Sequence, residues 1–522
     1  MRSFGSAMTS SFHVHRRTFL WLLMGVLLFA LVIRLPFLEL SRFEHEQVRD
    51  LVLSEQILHG DFIWHGFSAK LGEQSLQQSF GPFFYYLLAF ALLFVSDPSY
   101  YPLASSVLAM VLSVLAVFFC YLFCRRFFSE RVALIASLLF SLAPWYVLHA
   151  STYLSNGTMM PFFVMLYFYF FSRVIVEKKD GYLIPAAVVL ALQTQIHLSS
   201  LLLFPVSLVF LILYRRDLFL KRPFFVAVGA ALVTYVPYVV HTLSRGSFHD
   251  AFAFLAARYP STYLRTFVES LAIPFMFVTP YLGSYLLGNT PIYPSRSVEI
   301  LFWIFIVVMV ALLFVAFLCA VWRFLMAKDS EKKVLGLLLG WLCLPLLFSI
   351  LSGTNISPHY LQIVYPVPFI LLALLFDFLW ERYHPIIVSL VVVIPVLYLV
   401  FLGVFYTAVD REGGTTGIYG VPLKYRLQVV DSILQDAGSS PEIVYYGSQK
   451  RNFNYLFEIH ERMVVGLVIS SNTERIFLDL LALLRTSLYV APSHLRNKNP
   501  QQTLLRPMGT HSYCALIISS RW

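Results

Sequence analysis

Directly after the first long apolar run the chain reads Phe43-Glu44-His45-Glu46-Gln47-Val48-Arg49-Asp50. If this stretch is helical, Glu46 and Asp50 lie four residues apart on one face, with Arg49 beside them. A carboxylate held there, next to a membrane-bound substrate, is suited to act as a general base that takes the proton from an attacking hydroxyl. The same pattern also describes a plain solvated helix start, because acids are favoured near helix N-termini. Spacing alone leaves both readings open.

Such residues need a scaffold, and composition says which kind. Of 522 residues, 59% are hydrophobic and 13% charged, at a mean hydropathy of +0.74. Soluble globular domains run near half apolar and about a quarter charged. A water-soluble enzyme, a disordered tail and a disulfide-stapled secreted domain are therefore excluded. What remains is a polytopic α-helical membrane protein, since a crossing helix needs about 20 largely apolar residues. A β-barrel is excluded as well, because the apolar runs are continuous rather than alternating over about ten residues.

Apolar spans are expected at roughly 18–38, 103–122, 132–148, 159–175, 182–197, 198–214, 224–241, 300–322, 334–351, 361–379 and 386–407, about eleven in all. The run 81–95 is short, about 14 residues between Gly81-Pro82 and Asp97-Pro98, and reads as an interfacial or re-entrant helix. With the N-terminus inside, 18 of the 38 basic residues fall in inner segments against 8 acids, while the outer loops hold 7 basic residues and 11 acids. This is the positive-inside bias. It accounts for the net charge of +10 without a nucleic-acid partner. The first run follows Arg16 and Arg17, lacks a small-residue cleavage pattern and reads as an uncleaved anchor. The five cysteines show neither a disulfide framework nor metal-ligand spacing.

The expected organisation is a membrane domain over 1–407, with outer loops at 39–102 and 242–299, followed by a small extracytoplasmic α/β unit over 408–522. The unit reads as a helix near 422–437, strands at Ile443–Tyr446 and Met463–Ile469, a helix near 474–485, and strands at Leu488–Ala491 and Tyr513–Ser519. Tyr85 and Tyr86, just after Gly81-Pro82, are expected in an interfacial aromatic belt. A transporter usually keeps its outer loops short and its ionisable groups within the spans. Here Arg34 is the one cation left inside a span, and the acids gather in the first outer loop. That distribution favours chemistry at the outer interface, with the helices as scaffold.

Five short motifs, in order, give a resemblance. Glu46-Gln47-Val48-Arg49-Asp50 resembles the Asp-Gln-x-Arg-Asp block after the first span of many bacterial family-39-like membrane glycosyltransferases. These belong to the GT-C superfamily, with the protein O-mannosyltransferases and the lipid A aminoarabinose transferase. Gly81-Pro82-Phe83-Phe84-Tyr85-Tyr86 is similar to the family's Gly-Pro-aromatic block. Ser141-Leu142-Ala143-Pro144-Trp145 with Asn156 and Pro161-Phe162-Phe163, Gln195-Ile196-His197, and Pro358-His359-Tyr360 resemble later blocks.

The resemblance implies a GT-C type fold of about 11 or more transmembrane helices. It implies a polyprenyl-phosphate-linked sugar as donor, a lipid, glycan or protein acceptor, and work on the outer face of the cell (inner) membrane. The base position falls on Glu46, where the family usually has Asp, with Glu44 as the substitute candidate and Asp50 as the third catalytic candidate. The base would deprotonate an acceptor hydroxyl, which attacks the anomeric carbon as the polyprenyl phosphate leaves with inversion. Arg49, Lys70, His197, Arg258, Arg265 and His359 are the candidates to hold the donor, since a leaving phosphate needs donors and cations. No spacing indicates a metal, although carboxylates converging in three dimensions would suit a divalent one. The alternative reading is a multi-pass transporter or lipid flippase without glycosyl transfer; a scaffold whose acidic loop docks a partner is a third.

Overall fold

Apolar chain inside a bilayer satisfies its backbone polar groups internally, and a helix does this within one segment. The computed structural model describes residues 4–459 apart from 65, 67, 72–75, 80, 153–155, 245–262, 282–285, 353–357, 418 and 438–449. Within them run α1 (Phe4–Val32), α2 (Leu35–Glu39), α3 (His45–Leu58), α4 (Phe83–Leu92), α5 (Tyr101–Phe127), α6 (Glu130–Leu142) and α7 (Pro144–Thr152). Then come α8 (Met160–Ile175), α9 (Leu183–Ile196), α10 (Leu203–Arg215), α11 (Arg222–Ser244), α12 (Tyr263–Phe277), α13 (Arg296–Met326), α14 (Asp329–Ser352) and α15 (Val367–Glu412). A short antiparallel hairpin in the first loop, Ser68–Leu71 against Leu76–Ser79, was not foreseen.

Eight of the described helices are long and apolar enough to cross a membrane, or nine if the bent pair α6–α7 counts as one crossing. The 60° bend falls at Ala143, because Pro144 lacks an N–H and disfavours helical backbone in the residue before it. Helix α15 has 46 residues, roughly 69 Å at 1.5 Å per residue, against a hydrocarbon core of about 30 Å. It reverses at Tyr383, whose φ −128° and ψ 35° are not helical, two residues before Pro385. The reversal shows in the packing. Phe277 lies 4.4 Å from the Tyr365 ring, and its neighbour Val278 accepts a hydrogen bond from Tyr398, so the two ends of this hairpin share one level.

This count takes α15 as one helix although its two arms hold two of the eleven expected segments. The expected 182–197 span is the 14-residue helix α9, and α15 joins two expected spans in one helix. Helix α4, where no crossing was expected, has 10 residues.

One end of the bundle is tied by ion pairs. Arg125 meets Glu130 at 2.6 Å, Arg131 meets Glu381 at 3.3 Å, and Arg126 and Arg173 share Glu177. Arg215, nearly buried, holds both Asp180 and Asp217. Exposed pairs of this kind contribute about 0–1 kcal/mol each, so their effect is to fix how helix ends meet rather than to hold the bundle together. Cohesion comes from aromatic packing: Phe168 stacks on Trp341 at 3.7 Å, and Phe140 on Tyr146 at 4.3 Å.

Helix α15 closes on Gly413, whose φ of 72° is the left-handed conformation that glycine adopts without steric cost. The helix expected near 422–437 is α16 (Leu423–Ala437), and α17 (Lys450–Ile459) follows it. Ile443–Tyr446, Met463–Ile469, the 474–485 helix, Leu488–Ala491 and Tyr513–Ser519 lie outside the described residues. The described part of this region packs on the first loop. Leu423 N–H donates to the Ser41 carbonyl at 2.7 Å, and Tyr419 Oη to the Leu40 carbonyl at 2.7 Å.

Candidate active site at the acidic-loop end

The acid-rich stretch folds as the helix its spacing foretold, and its three carboxylates meet three different environments. Glu44 is the N-cap of α3. Its side chain accepts from the N–H of Gln47, whose Oε1 in turn accepts the Glu44 N–H at 2.8 Å. The Glu44 carboxylate also takes Arg426 Nη2 at 2.7 Å and Asn452 Nδ2 at 3.4 Å. It is thus engaged in holding structure. Removing Arg426 alone would leave a buried charge uncompensated, at a cost of about 3–5 kcal/mol.

Asp50 faces inward and is 3% exposed. One of its oxygens accepts both Arg49 Nε at 2.9 Å and Arg49 Nη2 at 2.7 Å, and Tyr85 Oη at 3.4 Å. Burial raises its proton affinity, Arg49 opposes this, and the balance brings its pKa up to about 6. Tyr85 is therefore not an interfacial belt residue as expected. Helix α4 lies along α3, and the ring points into the buried seam at 1% exposure. Tyr86 does sit nearer the rim, donating to the Ile63 carbonyl at 3.1 Å.

Glu46, in the first turn of α3, is half-buried. It lies within electrostatic reach of Arg49 and of His359, which comes from the turn Pro358–Val364. His359 is half-buried, and desolvation pushes its pKa down to about 4 against the pull of Glu46 and with the help of Arg42. A neutral imidazole at this position is a hydrogen-bonding group and not a phosphate-neutralising cation. His197, the C-cap of α9, meets His359 with ring centroids 6.1 Å apart. His149 stacks on Trp145 at 4.5 Å and lies within electrostatic reach of both His359 and Arg42.

The motifs also explain one another. A Cβ on Gly81 would lie 2.4 Å from Gln195 Cγ, so only glycine lets the start of α4 close on the end of α9. Gln195 is locked in turn by Nε2 bonds to the Thr234 carbonyl at 2.9 Å and to Thr234 Oγ1 at 3.2 Å. Trp341 Nε1 donates to the Ile363 carbonyl at 2.6 Å and so pins the turn that carries His359.

The structure therefore brings together Glu44, Glu46, Arg49, Asp50, His197 and His359 at one end of the bundle. Lys70 lies on the first-loop hairpin and Arg265 on α12, with their side chains outside the described residues; Arg258 lies outside them altogether. Among the described residues no group of three or more His, Cys, Asp or Glu could hold a metal ion. Sequence reasoning missed Arg42, His149, Tyr85 and Arg426. Arg42 stood in the acidic loop as a visible signal; the other three are placed only by tertiary contact. Beside His149 lies a cavity of about 10 Å³, lined by Trp145, Thr158, Gln362 and Tyr365 among others, with room for about one water and none for a sugar.

Against known proteins, residues 79–241 match the dolichyl-phosphate-mannose-protein mannosyltransferase family. The matched stretch opens at the Gly81 turn and includes Trp145, His149, Gln195 and His197. Two crystal structures of ArnT from Cupriavidus metallidurans share the fold over most of both chains. The one bound to undecaprenyl phosphate overlays at a TM-score of 0.54 and the apo one at 0.55. Each is 13% identical, covering 89% of this chain and 88% of that one. The chain thus shares the fold of these ArnT structures. No curated protein matches it by sequence. In this bundle the acid-bearing helix α3 stands just after the first helix long and apolar enough to cross a membrane, outside the stretch that the family match covers.

Proposed function

We propose that the protein is an integral membrane glycosyltransferase. It moves a sugar from a polyprenyl-phosphate-linked donor to an acceptor hydroxyl at the acidic-loop end of the bundle. The observation that carries this reading is that the turn bearing His359 lies within electrostatic reach of Glu46 and Arg42, more than 300 residues earlier in the chain, on a GT-C type fold. Glu46 is the base. Of the three carboxylates Glu44 and Asp50 are buried and Glu46 is half-buried, at the position where the resembled family carries its base.

Glu46 takes the proton of the acceptor hydroxyl as that oxygen bonds to the anomeric carbon. The bond from the anomeric carbon to the donor phosphate breaks from the opposite side, with inversion, and the electron pair leaves on the phosphate. Developing charge on that oxygen is stabilised by preorganised donors. Arg42 lies beside the site, and Lys70, Arg258 and Arg265 are the further candidates from the outer loops. His197 and His359 supply neutral hydrogen bonds to sugar or phosphate oxygens. The positive-inside bias supports placing this end on the extracytoplasmic side of the cell membrane.

The test is to give purified protein in nanodiscs a panel of polyprenyl-phosphate-linked sugars with membrane extract as acceptor, and to measure free polyprenyl phosphate. Release that depends on both donor and extract is the expected result. Binding or movement of the lipid with no cleavage of its sugar, across the panel, would instead support the flippase reading.

A further inference from the structure

Helix α3 is held from outside the membrane bundle. At its first turn the cap carboxylate of Glu44 is gripped by Arg426 of α16 at 2.7 Å and faced by Asn452 of α17 at 3.4 Å. Near its last turn Glu55 accepts a hydrogen bond from Tyr455 Oη, and before its start Phe43 packs on the Tyr455 ring at 6.1 Å. Arg426 is itself fixed. Its side chain is 2% exposed, Nε donates to the Val421 carbonyl at 3.1 Å, and the guanidinium lies 5.9 Å from the Phe453 ring. The backbone makes the same join, with Leu423 N–H on Ser41 O and a β-bridge between Arg42 and Pro422.

We propose that Arg426 is a positioning residue: by clamping Glu44, it sets where the first turn of α3 begins and thus where Glu46 points. The N–H groups of a helix's first turn have no intrahelical acceptors, so losing the cap lets that turn fray, and its side chains leave their helical directions. Glu46 is in that turn, two residues after the clamped cap. Arg42, two residues before Glu44, is joined to the same region by its bridge to Pro422, so the clamp also bears on the cation near His359. The region after α15 is on this account part of the active site. The inference rests on the reading of Glu46 as base, and its test has an arm that does not.

The test compares full-length Arg426→Met and Arg426→Lys with wild type in nanodiscs, by amide hydrogen exchange and by transfer kinetics. For Arg426→Met, exchange over 44–51 is expected to rise about tenfold or more while peptides of α5 and α8 hold their wild-type protection. Its kcat is expected to fall by about tenfold or more with the donor KM within about twofold, as for a displaced catalytic group. Arg426→Lys, which keeps the charge, is expected to recover part of both. Wild-type exchange over 44–51 in Arg426→Met would overturn the proposal, as would a raised KM at unchanged kcat. If Arg426→Met does not assemble, Arg426→Gln, which keeps a polar side chain without the charge, takes its place, and wild-type exchange over 44–51 there would overturn the proposal. If wild type transfers no sugar, the enzymatic reading fails alone and the exchange arm still decides the clamp.

Discussion

The imidazoles of His197 and His359 meet edge to face, with centroids 6.1 Å apart and planes at 89°. One caps α9, and the other sits on a turn pinned by Trp341. With His359 held neutral by desolvation, its use to a substrate is a hydrogen bond rather than a charge. Replacing His359 by Ala is expected to lower kcat/KM about fivefold to tenfold, the worth of about one hydrogen bond, and Gln is expected to restore most of it. Steady-state kinetics of both variants check this. A larger loss in Gln than in Ala would contradict it.

Asp50 gives the account a pH signature. Its pKa is raised to about 6, so between the usual carboxylate value and about 6 the folded protein holds a proton that the unfolded chain has released. That contribution to stability is full at low pH and is lost as pH rises through about 6. The ionised form is the one that holds Arg49 in place for catalysis. Transfer activity is therefore expected to rise through pH about 6, and Asp50→Asn to flatten that limb. Wild type is also expected to lose thermal stability relative to Asp50→Asn as pH rises from 5 to about 7. His359 contributes in the opposite sense, since its lowered pKa makes stability fall as pH drops from about 6.5 toward 4. The Asp50→Asn comparison removes that shared term.

Gly81→Ala is expected to be costly at a position that is neither charged nor catalytic. The new Cβ falls 2.4 Å from Gln195 Cγ and 2.6 Å from its Cβ, so helix α4 or α9 must shift. Overpacking of this kind costs about 1–3 kcal/mol. Because His197 is two residues from Gln195, activity is expected to fall as well. Thermal unfolding and transfer rate measured together test this, and a variant unchanged in both would contradict it.

Much of the scaffold and part of the site were legible in the sequence, for local reasons. The long charge-poor runs specified helices because buried backbone must pair within its own segment. The carboxylate helix followed from spacing, and α3 runs where Glu46 and Asp50 required it. The reversal within α15 showed as a polar break, Arg382-Tyr383-His384-Pro385, between two apolar runs. Other features have no local pattern. Glu44 and Arg426 are 382 residues apart, and nothing near either one names its partner. Tyr85 read as an interfacial aromatic because its neighbours are apolar, and only the approach of α4 to α3 turns it toward Asp50. The commitment of Glu44 was half visible, since Glu44-x-x-Gln47 has the spacing of a capping box.

The central claim is that Glu46 removes the acceptor proton, and a single-turnover transfer assay of Glu46→Gln beside wild type tests it most directly. Glutamine keeps the shape and removes the basicity, so the variant is expected to insert normally, bind donor normally and release polyprenyl phosphate about 10²- to 10⁴-fold more slowly. Transfer by Glu46→Gln within about threefold of wild type would contradict the account.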